Sequence, residues 1–368
     1  MIYFDSAATT LQKPRSVADS VAKAIRTMTT PGRGGYPASR YAADKMFELR
    51  SLAAEMFDVS APDNVIFTMN ATHGLNLAIK SLVSPGDTVV ISGYEHNAVT
   101  RPLTAIGDVT VRVVNGELFH PDQMAEGFER SVDGDVKVVI CTQVSNVFGY
   151  ELPIDDIADI CKKRGVPLIV DASQSAGLLP VRTSGWGAAY VAMPGHKGLY
   201  GPQGTGLLLC GDGYLPDGLI QGGTGSLSRL QEMPDFLPDR LEAGTQNVHG
   251  AAGLLEGMKF VHGFVPGRIS QYEGHLVKLL VDGLRRKGGY RVFEGDGSSS
   301  VLSVVPENGG VEELADGLAS RGVAVRAGLH CAPLAHMSAG TLETGTLRFS
   351  MSVFNTESEV GRLLKIMP

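Results

Sequence analysis

Short apolar runs alternate with amphipathic stretches along the chain from about Val65 onward. The apolar runs are typical of strands that are buried on both faces of a sheet. Helical patterns lie between several of them, for example in residues 73–82 and 154–164. The predicted strands are residues 65–68, 88–91, 109–114, 136–141, 168–170 and 206–210. This repeated strand–helix–strand order predicts an α/β fold with a mostly parallel sheet covered by helices, which binds ligands at the carboxyl ends of its strands.

The pattern changes in the last third of the chain. Residues 211–247 are rich in Gly and Pro and show no sustained period, which is typical of a functional or mobile loop. Beyond them we predict long helices within residues 251–287, strands at 301–305, 323–325 and 347–351, and helices at 311–320 and from Thr356. We therefore predict a large domain of residues 14–250 and a smaller α+β domain formed by residues 1–13 and 251–368.

Composition and charge exclude several classes of protein. Hydrophobic residues make up 43% of the 368 residues and charged residues 19%, as in a folded globular protein. The net charge is −7, without a basic cluster, so nucleic acid is not an expected partner. There is no long apolar run and no secretory signal, so we expect no membrane contact and a cytoplasmic location. Four cysteines without a C-x-x-C pair disfavour both a metal site and a disulfide framework. A catalytic thiol is therefore an alternative use for at least one of them.

Two charged residues follow predicted strands. Asp171 ends a very apolar run, and a buried carboxylate needs a cation or hydrogen-bond donors; a helix cap is the ordinary alternative. Lys197 follows the next apolar run, between a histidine and a glycine. A partly desolvated lysine can form a Schiff base with an aldehyde, and an aspartate is the usual partner of the pyridine nitrogen of pyridoxal phosphate. The pair is therefore a candidate site for that cofactor.

A series of short motifs supports this interpretation. They lie at residues 5–10 (DSAATT), 67–72 (FTMNAT), 95–97 (EHN), 144–149 (VSNVFG), 171–175 (DASQS), 195–197 (GHK), 242–245 (EAGT) and 326–331 (RAGLHC). In this order and spacing, over nearly the whole chain, they resemble the class V aminotransferase family of fold-type I pyridoxal-phosphate enzymes. Within that family the chain resembles the SUF-type cysteine desulfurases and selenocysteine lyase.

The resemblance implies roles around the cofactor ring. Lys197 would hold pyridoxal phosphate covalently and later move the Cα proton of the substrate. Asp171 would keep the ring nitrogen protonated, Gln174 would bind the phenolic oxygen, and His96 would stack on the ring. Asn146 matches a further position that lines the cofactor and substrate.

The resemblance also implies a phosphate site shared between two subunits. Ala71 and Thr72, at a helix N-terminus, would bind the phosphate together with His196. Thr245 matches the threonine that the neighbouring subunit contributes, which implies a homodimer. Three positions depart from the family pattern: Pro194 replaces a serine before the Gly-His-Lys motif, and Ser6 and Ala71 replace an asparagine and a hydroxyl residue. Pro194 offers neither a hydroxyl nor an N–H group to the phosphate.

Cys331 matches the family nucleophile. L-cysteine would lose its sulfur to this thiol, giving a persulfide on Cys331 and L-alanine, and a sulfur-acceptor protein, as in iron–sulfur cluster assembly, would take the sulfur. Arg348 matches the position that grips the substrate carboxylate, and Arg326 and Asn146 line the substrate site. Because thiols are mostly protonated at neutral pH, we expect help from His330 and Arg326, which are close in sequence. The other three cysteines lie in apolar runs or on a helix stripe, where a buried thiol is expected.

Three other functions remain open at this point. Selenocysteine lyase uses the same scaffold, and the sequence does not separate it from a desulfurase. An aminotransferase or epimerase would share Lys197 and Asp171 but would not need Cys331. A catalytically inactive α/β binding scaffold is the alternative from another class, although no P-loop motif is present to bind a nucleotide.

Overall fold

The computed structural model describes residues 1–32 and 34–368. Its helices, in chain order, are α1 Arg15–Thr27, α2 Pro37–Met56, α3 Ala71–Leu82, α4 Asn97–Ile106, α5 Pro121–Ser131, α6 Ile154–Arg164, α7 Thr183–Trp186, α8 Val248–His262, α9 Arg268–Lys287, α10 Val311–Ala319, α11 Pro333–Ala339 and α12 Glu357–Ile366. Its strands are β1 Ile2–Tyr3, β2 Val65–Thr68, β3 Thr88–Ser92, β4 Thr110–Val114, β5 Val136–Thr142, β6 Leu168–Asp171, β7 Tyr190–Pro194, β8 Gly206–Cys210, β9 Tyr290–Phe293, β10 Val301–Pro306, β11 Val323–Ala324, β12 Arg326–Gly328 and β13 Thr346–Ser350. A 3₁₀ turn, Pro62–Asn64, precedes β2.

The main sheet has seven strands in the order β2-β8-β7-β6-β5-β3-β4. Strands β4, β3, β5, β6 and β7 run parallel, whereas β8 is antiparallel to both β7 and β2. The mostly parallel α/β sheet that the sequence predicts is therefore confirmed. Parallel connections bring the carboxyl ends of β5, β6 and β7 to one edge, where their following loops meet.

Apolar side chains on this sheet alternate between two cores. Leu207 and Leu209 of β8 pack into one buried cluster, whereas Leu208 and Cys210 pack into the other. Helix α3 contributes Leu75 to the second cluster. Burial on both faces explains why these strands have nearly continuous apolar sequences.

A smaller sheet lies in the last third of the chain. Its four antiparallel strands follow the order β12-β13-β10-β9, and β1 pairs in parallel with β11. Helices α9 and α12 cover it through a third apolar cluster, which includes Leu280 and Leu363. Helix α8, by contrast, packs Leu254 and Leu255 into the core of the main sheet. The domain boundary after residue 250 stays a prediction.

The connection from β8 to α8 contains neither helix nor strand, in agreement with its lack of sequence period. In the part of the chain that the structure describes, no helix combines the length and apolarity needed to cross a bilayer.

Candidate active site

A cleft at the carboxyl edge of the main sheet brings most of the predicted site residues together. Its empty volume is about 500 Å³. The predicted residues that line it are Ala71, Thr72, His96, Asn146, Asp171, Gln174, His196 and Lys197. They come from segments up to 126 residues apart in the chain, so the fold rather than the local sequence assembles the site.

Lys197 and Asp171 form the polar centre of this cleft. Asp171 is the last residue of β6 and Lys197 follows β7, the neighbouring strand. Burial lowers the pKa of Lys197 to about 8, and the charge of Asp171 opposes this shift. Asp171 is buried and accepts a hydrogen bond of 2.9 Å from the Ser173 backbone N–H. A lysine with this pKa is partly neutral near pH 7 and can act as a nucleophile or a base.

His96 caps helix α4 directly beside this centre. Its Nδ1 accepts a hydrogen bond of 3.0 Å from the Ala98 backbone N–H. Burial lowers the pKa of His96, with Asp171 opposing and Lys197 adding to the shift. The ring is therefore a neutral, partly buried surface that lines the cleft.

The N-terminus of α3 forms the anion-binding side of the cleft. Asn70 caps the helix by accepting a hydrogen bond of 2.9 Å from the His73 backbone N–H. The first N–H groups of a helix have no acceptor within it and attract anions such as phosphate. Ala71 and Thr72 begin this helix, and both line the cleft. The Nδ1 of His196, buried and without a hydrogen-bond partner among the described residues, lies in the same wall.

Pyridoxal phosphate fits this set of residues. The cleft offers an amine for its aldehyde, a carboxylate for its ring nitrogen and helix N–H groups for its phosphate. Gln174 is buried and uses one N–H, which donates to the Ala7 carbonyl oxygen at 3.0 Å, so its remaining polar groups stay available. The unpaired His196 Nδ1 is available for a further contact, whereas Pro194 has no donor to offer.

Cys331 lies in a short loop between β12 and α11, with an unusual backbone. His330 and Cys331 have φ values of +50° and +57°, a left-handed conformation that is uncommon for residues other than glycine. Asn146 Nδ2 donates to the His330 carbonyl oxygen at 2.8 Å, and the Asn97 N–H donates to that of Cys331 at 2.8 Å. The sequence predicts two strands around this loop, and helix α11 was missed. Hydrogen bonds thus hold the loop to Asn146, which lines the cleft, and to Asn97, which follows the cleft residue His96.

Three of the four cysteines are buried, as the sequence predicts. Cys331 is exposed, whereas Cys141, Cys161 and Cys210 are buried. Burial raises the pKa of each buried thiol and keeps it protonated. Only the thiolate is a strong nucleophile, so Cys331 is the one candidate among these four.

His330 does not supply the positive charge that we expected near Cys331. Its Nε2 lies 3.1 Å from the Thr346 carbonyl oxygen and so carries the proton, which leaves Nδ1 unpaired. Burial, together with the charge of Arg348, lowers the pKa of His330 to about 2. The ring is neutral, and Arg326 is the cation that interacts electrostatically with Cys331.

Asp5 contacts both arginines of the site, a role that the sequence pattern did not indicate. Its carboxylate accepts a hydrogen bond of 3.0 Å from Arg348 Nη2, and bonds of 3.1 and 2.9 Å from Arg326 Nε and Nη2. Arg348 Nη1 donates to the Asn146 carbonyl oxygen at 2.8 Å, whereas its buried Nε has no partner in the described structure. Asp5 lies in the first of the family motifs, which was the signal available for it.

Cys331, Arg326 and Arg348 do not line this cleft, and the fourth predicted site residue outside it is Thr245. It is exposed and lines a different cavity with Met69, His73 and Glu242. This position excludes contact between Thr245 and the cleft of its own chain. It is compatible with contact between Thr245 and the cleft of a neighbouring subunit.

The sheet, the lysine and aspartate at adjacent strand ends, and the anion site at α3 define a fold-type I enzyme, the class that uses pyridoxal phosphate. The chain belongs to the class V aminotransferase family, whose model matches residues 2–363.

Known proteins of this family resemble the chain over nearly its whole length. It is 30% identical to a probable cysteine desulfurase of Mycolicibacterium paratuberculosis, with 99% of this chain and 54% of that protein covered. It is also 30% identical to a probable cysteine desulfurase of Methanothermobacter thermautotrophicus, with 98% and 92% covered. The chain thus spans about half the length of the mycobacterial relative. The apo structure of a cysteine desulfurase from Thermococcus onnurineus has a TM-score of 0.91 and 27% identity, with 100% of this chain and 93% of that chain covered.

Proposed function

We propose that this protein is a pyridoxal-phosphate-dependent cysteine desulfurase. It takes sulfur from L-cysteine, releases L-alanine and holds the sulfur as a persulfide on Cys331. The observation that carries the proposal is the exposed thiol of Cys331. The loop that contains it is hydrogen-bonded to Asn146, and Asn146 lines the same cleft as Lys197. An aminotransferase or epimerase needs the lysine but has no use for a thiol held in this position.

Different residues around the cleft bind different parts of the cofactor. Lys197 binds the aldehyde, Asp171 the ring nitrogen, Gln174 the phenolic oxygen, and His96 faces the ring. The phosphate binds at the start of α3, with His196 beside it. Backbone N–H groups carry more of the phosphate binding here, because Pro194 has no donor.

Substrate binding and proton transfer follow from the charges of the site. Arg348 binds the carboxylate of cysteine through its unpaired Nε, since a guanidinium is suited to carboxylates. When bound, pyridoxal phosphate supplies an electron-withdrawing ring that stabilises negative charge at the substrate Cα. Lys197, with a pKa of about 8, takes the proton from Cα and returns it during the reaction.

Cys331 then accepts the sulfur. Its Sγ attacks the sulfur of the substrate, so that an S–S bond forms and the Cβ–S bond breaks. The electron pair of the broken bond stays with the carbon, which takes up a proton and becomes the methyl group of alanine. No external oxidant is needed. The exposed position of Cys331 leaves the persulfide open to the thiol of a sulfur-acceptor protein, such as one that serves iron–sulfur cluster assembly.

The active enzyme, in this proposal, is a homodimer in which Thr245 completes the phosphate site of the partner. Apolar side chains that are exposed in the single chain surround the cavity of Thr245, among them Met69 (56% exposed) and Ile220 (53%). Patches of this kind mark protein interfaces. All four thiols are free, which suits a cytoplasmic location.

The proposal is tested by measuring alanine and persulfide formed from L-cysteine. The wild type should form both in equal amounts, and Cys331→Ser should form neither from cysteine. Cys161→Ala, which removes a buried thiol, is the matched control and should retain activity. Alanine release by Cys331→Ser at the wild-type rate would contradict the proposal. Turnover of selenocysteine alone, equal in both proteins, would indicate a selenocysteine lyase.

A further inference from the structure

Glu95 is fully buried in the turn that joins β3 to α4. Its Oε1 accepts a hydrogen bond from the hydroxyl of Ser92, the last residue of β3. The same oxygen accepts a hydrogen bond of 2.8 Å from the backbone N–H of Thr142, the last residue of β5. One carboxyl group therefore links the ends of two strands of the main sheet.

The side chain of Glu95 continues the sheet where β3 has ended. Strand β5 lies between β3 and β6, and Ile91 is the last residue of β3 that pairs with it. The Gln143 N–H donates to the Asp171 carbonyl oxygen of β6 at 3.0 Å, so the preceding N–H, that of Thr142, points to the opposite side. There the carboxyl of Glu95 takes the place of a strand carbonyl and satisfies a buried donor.

Glu95 is an uncharged acid near neutral pH. Among the described residues it forms no ion pair, and its Oε2 is buried without a hydrogen-bond partner. Burial, with a smaller contribution from the charge of Asp171, raises the pKa of Glu95 to about 8. The Cys141 thiol, which interacts electrostatically with Glu95, is kept protonated by burial. The link thus depends on an acceptor oxygen and not on a negative charge.

Both ends of this link reach the cleft of Lys197. Thr142 lines the cleft, as does His96, which directly follows Glu95. The next residue, Asn97, donates its N–H to the Cys331 carbonyl oxygen. Without the link, the turn that carries His96 would be free to move relative to the end of β5.

We propose that Glu95 is a positioning residue, which holds His96 against the cofactor ring by joining its turn to the end of β5. The contact of His96 with a pyridoxal-phosphate ring rests on the proposed function, whereas the link between the turn and β5 does not. A residue in this role needs the length and the acceptor oxygen of Glu95.

Three variants separate length from charge. Glu95→Gln keeps the length and the acceptor oxygen, resembles the protonated acid and should behave as the wild type. Glu95→Asp keeps the acid but is one methylene shorter, so it should not reach Thr142, and Glu95→Ala removes the carboxyl. Tyr94→Phe is the matched control, because it removes a hydrogen bond of 3.0 Å to the Gly116 carbonyl oxygen from the neighbouring residue of the same turn.

The first test uses the apo chain and needs neither cofactor nor activity. Amide hydrogen exchange of Thr142 and Asn97 is measured relative to that of Val139, in the middle of β5. Both amides should exchange about ten-fold faster in Glu95→Asp and Glu95→Ala, and at the wild-type rate in Glu95→Gln and Tyr94→Phe. Unchanged exchange in folded Glu95→Asp, or fast exchange in Glu95→Gln, overturns the inference.

The second test measures the visible circular dichroism of bound pyridoxal phosphate in the holoenzyme, which reports the orientation of the ring in its chiral site. Glu95→Asp and Glu95→Ala should weaken this band and bind the cofactor about ten-fold more weakly, whereas Glu95→Gln should retain both. An unchanged band in Glu95→Asp overturns the role of Glu95 toward the ring. A wild type that takes up no pyridoxal phosphate would overturn the proposed function and the contact of His96 with the ring, even if the first test succeeds.

A double-mutant cycle distinguishes positioning through His96 from a general loss of stability. His96→Ala should itself weaken the band and the affinity for pyridoxal phosphate. Adding Glu95→Asp to His96→Ala should then change the affinity less than two-fold, because the residue that Glu95 positions is already absent. Fully additive losses would overturn the inference. Because Glu95→Asp carries both tests, the result does not depend on the folding of Glu95→Ala.

Discussion

The backbone N–H of Asn97 donates a hydrogen bond of 2.8 Å to the carbonyl oxygen of Cys331. Asn97 is the first residue of α4 and directly follows His96, so this hydrogen bond joins the loop of Cys331 to a residue next to the cleft of Lys197. The left-handed backbone at His330 and Cys331 is held in place by such contacts. The position of the thiol is therefore set by main-chain hydrogen bonds and by the side chains of Asn146 and His330.

Replacing Asn146 by Ala should loosen this loop. The variant loses the hydrogen bond of 2.8 Å to the His330 carbonyl oxygen, a loss worth about 1 kcal/mol. We expect kcat with L-cysteine to fall about ten-fold or more and the amide of Asn97 to exchange its hydrogen faster. Asn64→Ala removes an exposed amide and serves as the control. Unchanged hydrogen exchange at Asn97 would show that Asn146 does not hold the loop.

The uptake of pyridoxal phosphate by the apo chain should depend on the pKa of Lys197. Only the neutral amine reacts with the aldehyde, so the rate should rise with pH around about 8 rather than near the ordinary value of 10.5. Asp171→Asn should move this midpoint lower, because the carboxylate favours the protonated amine. The exposed residue Asp133, changed to Asn, is the control for lost charge. Stopped-flow absorbance measures the rate, and a midpoint near 10.5 would contradict the prediction.

Glu273 should make the stability of the protein depend on pH. Burial raises the pKa of this carboxyl from 4.5 to about 8, although Tyr200 donates to its Oε1 at 3.3 Å. The folded chain thus binds a proton that the unfolded chain has lost between these values. The contribution of Glu273 is present below pH 4.5 and is lost as the pH rises through 8.

Glu273→Gln removes this dependence because glutamine resembles the protonated acid. We expect the variant to gain stability over the wild type as the pH rises from 5 to 9, by at most a few kcal/mol. Urea unfolding at each pH measures the difference, with Glu129→Gln as a surface control. Parallel curves for variant and wild type would contradict a neutral Glu273.

Phe47 should be part of the dimer interface. It lies on α2, is 60% exposed, and lines a cavity next to that of Thr245; the two cavities share Met46, Glu242 and Gln246. Phe47→Asp should yield a monomer by light scattering at micromolar concentration, because an unpaired carboxylate is costly to bury. Its affinity for pyridoxal phosphate should fall as well, since Thr245 of the partner is lost.

Val265 is 75% exposed and lines neither cavity, so Val265→Asp is the matched control. It should remain a dimer. A wild type that is monomeric under the same conditions would contradict the proposed shared site.

The edge strand β4 is largely exposed, but the other strands of the main sheet could be predicted because burial on both faces demands apolar side chains. The same holds for α6, whose observed bounds, Ile154–Arg164, match the prediction. Helix α2 lacks a clear apolar stripe, because alanines make up much of its buried face and the buried Arg50 pairs with Glu242. Helix α11 was missed for the same reason, since its buried residues are Ala335 and His336.

Some features of the candidate site could likewise be predicted from the sequence, and others could not. Asp171 and Lys197 could be predicted because strand ends meet at one edge of a parallel sheet. The contact of Asp5 with Arg348 joins residues 343 positions apart, and no spacing in the sequence indicates it. The neutrality of His330 also depends on tertiary burial, which its neighbours in the sequence do not reveal.

The central claim is that Cys331 receives the sulfur of L-cysteine in a site built around Lys197. Peptide mass spectrometry of the holoenzyme, incubated with L-cysteine and without reductant, tests it most directly. The account predicts one added sulfur atom on the peptide that contains Cys331, and none in Lys197→Ala or on the peptides of Cys141, Cys161 and Cys210. Sulfur on one of those buried cysteines, or alanine released with no sulfur on Cys331, would contradict it.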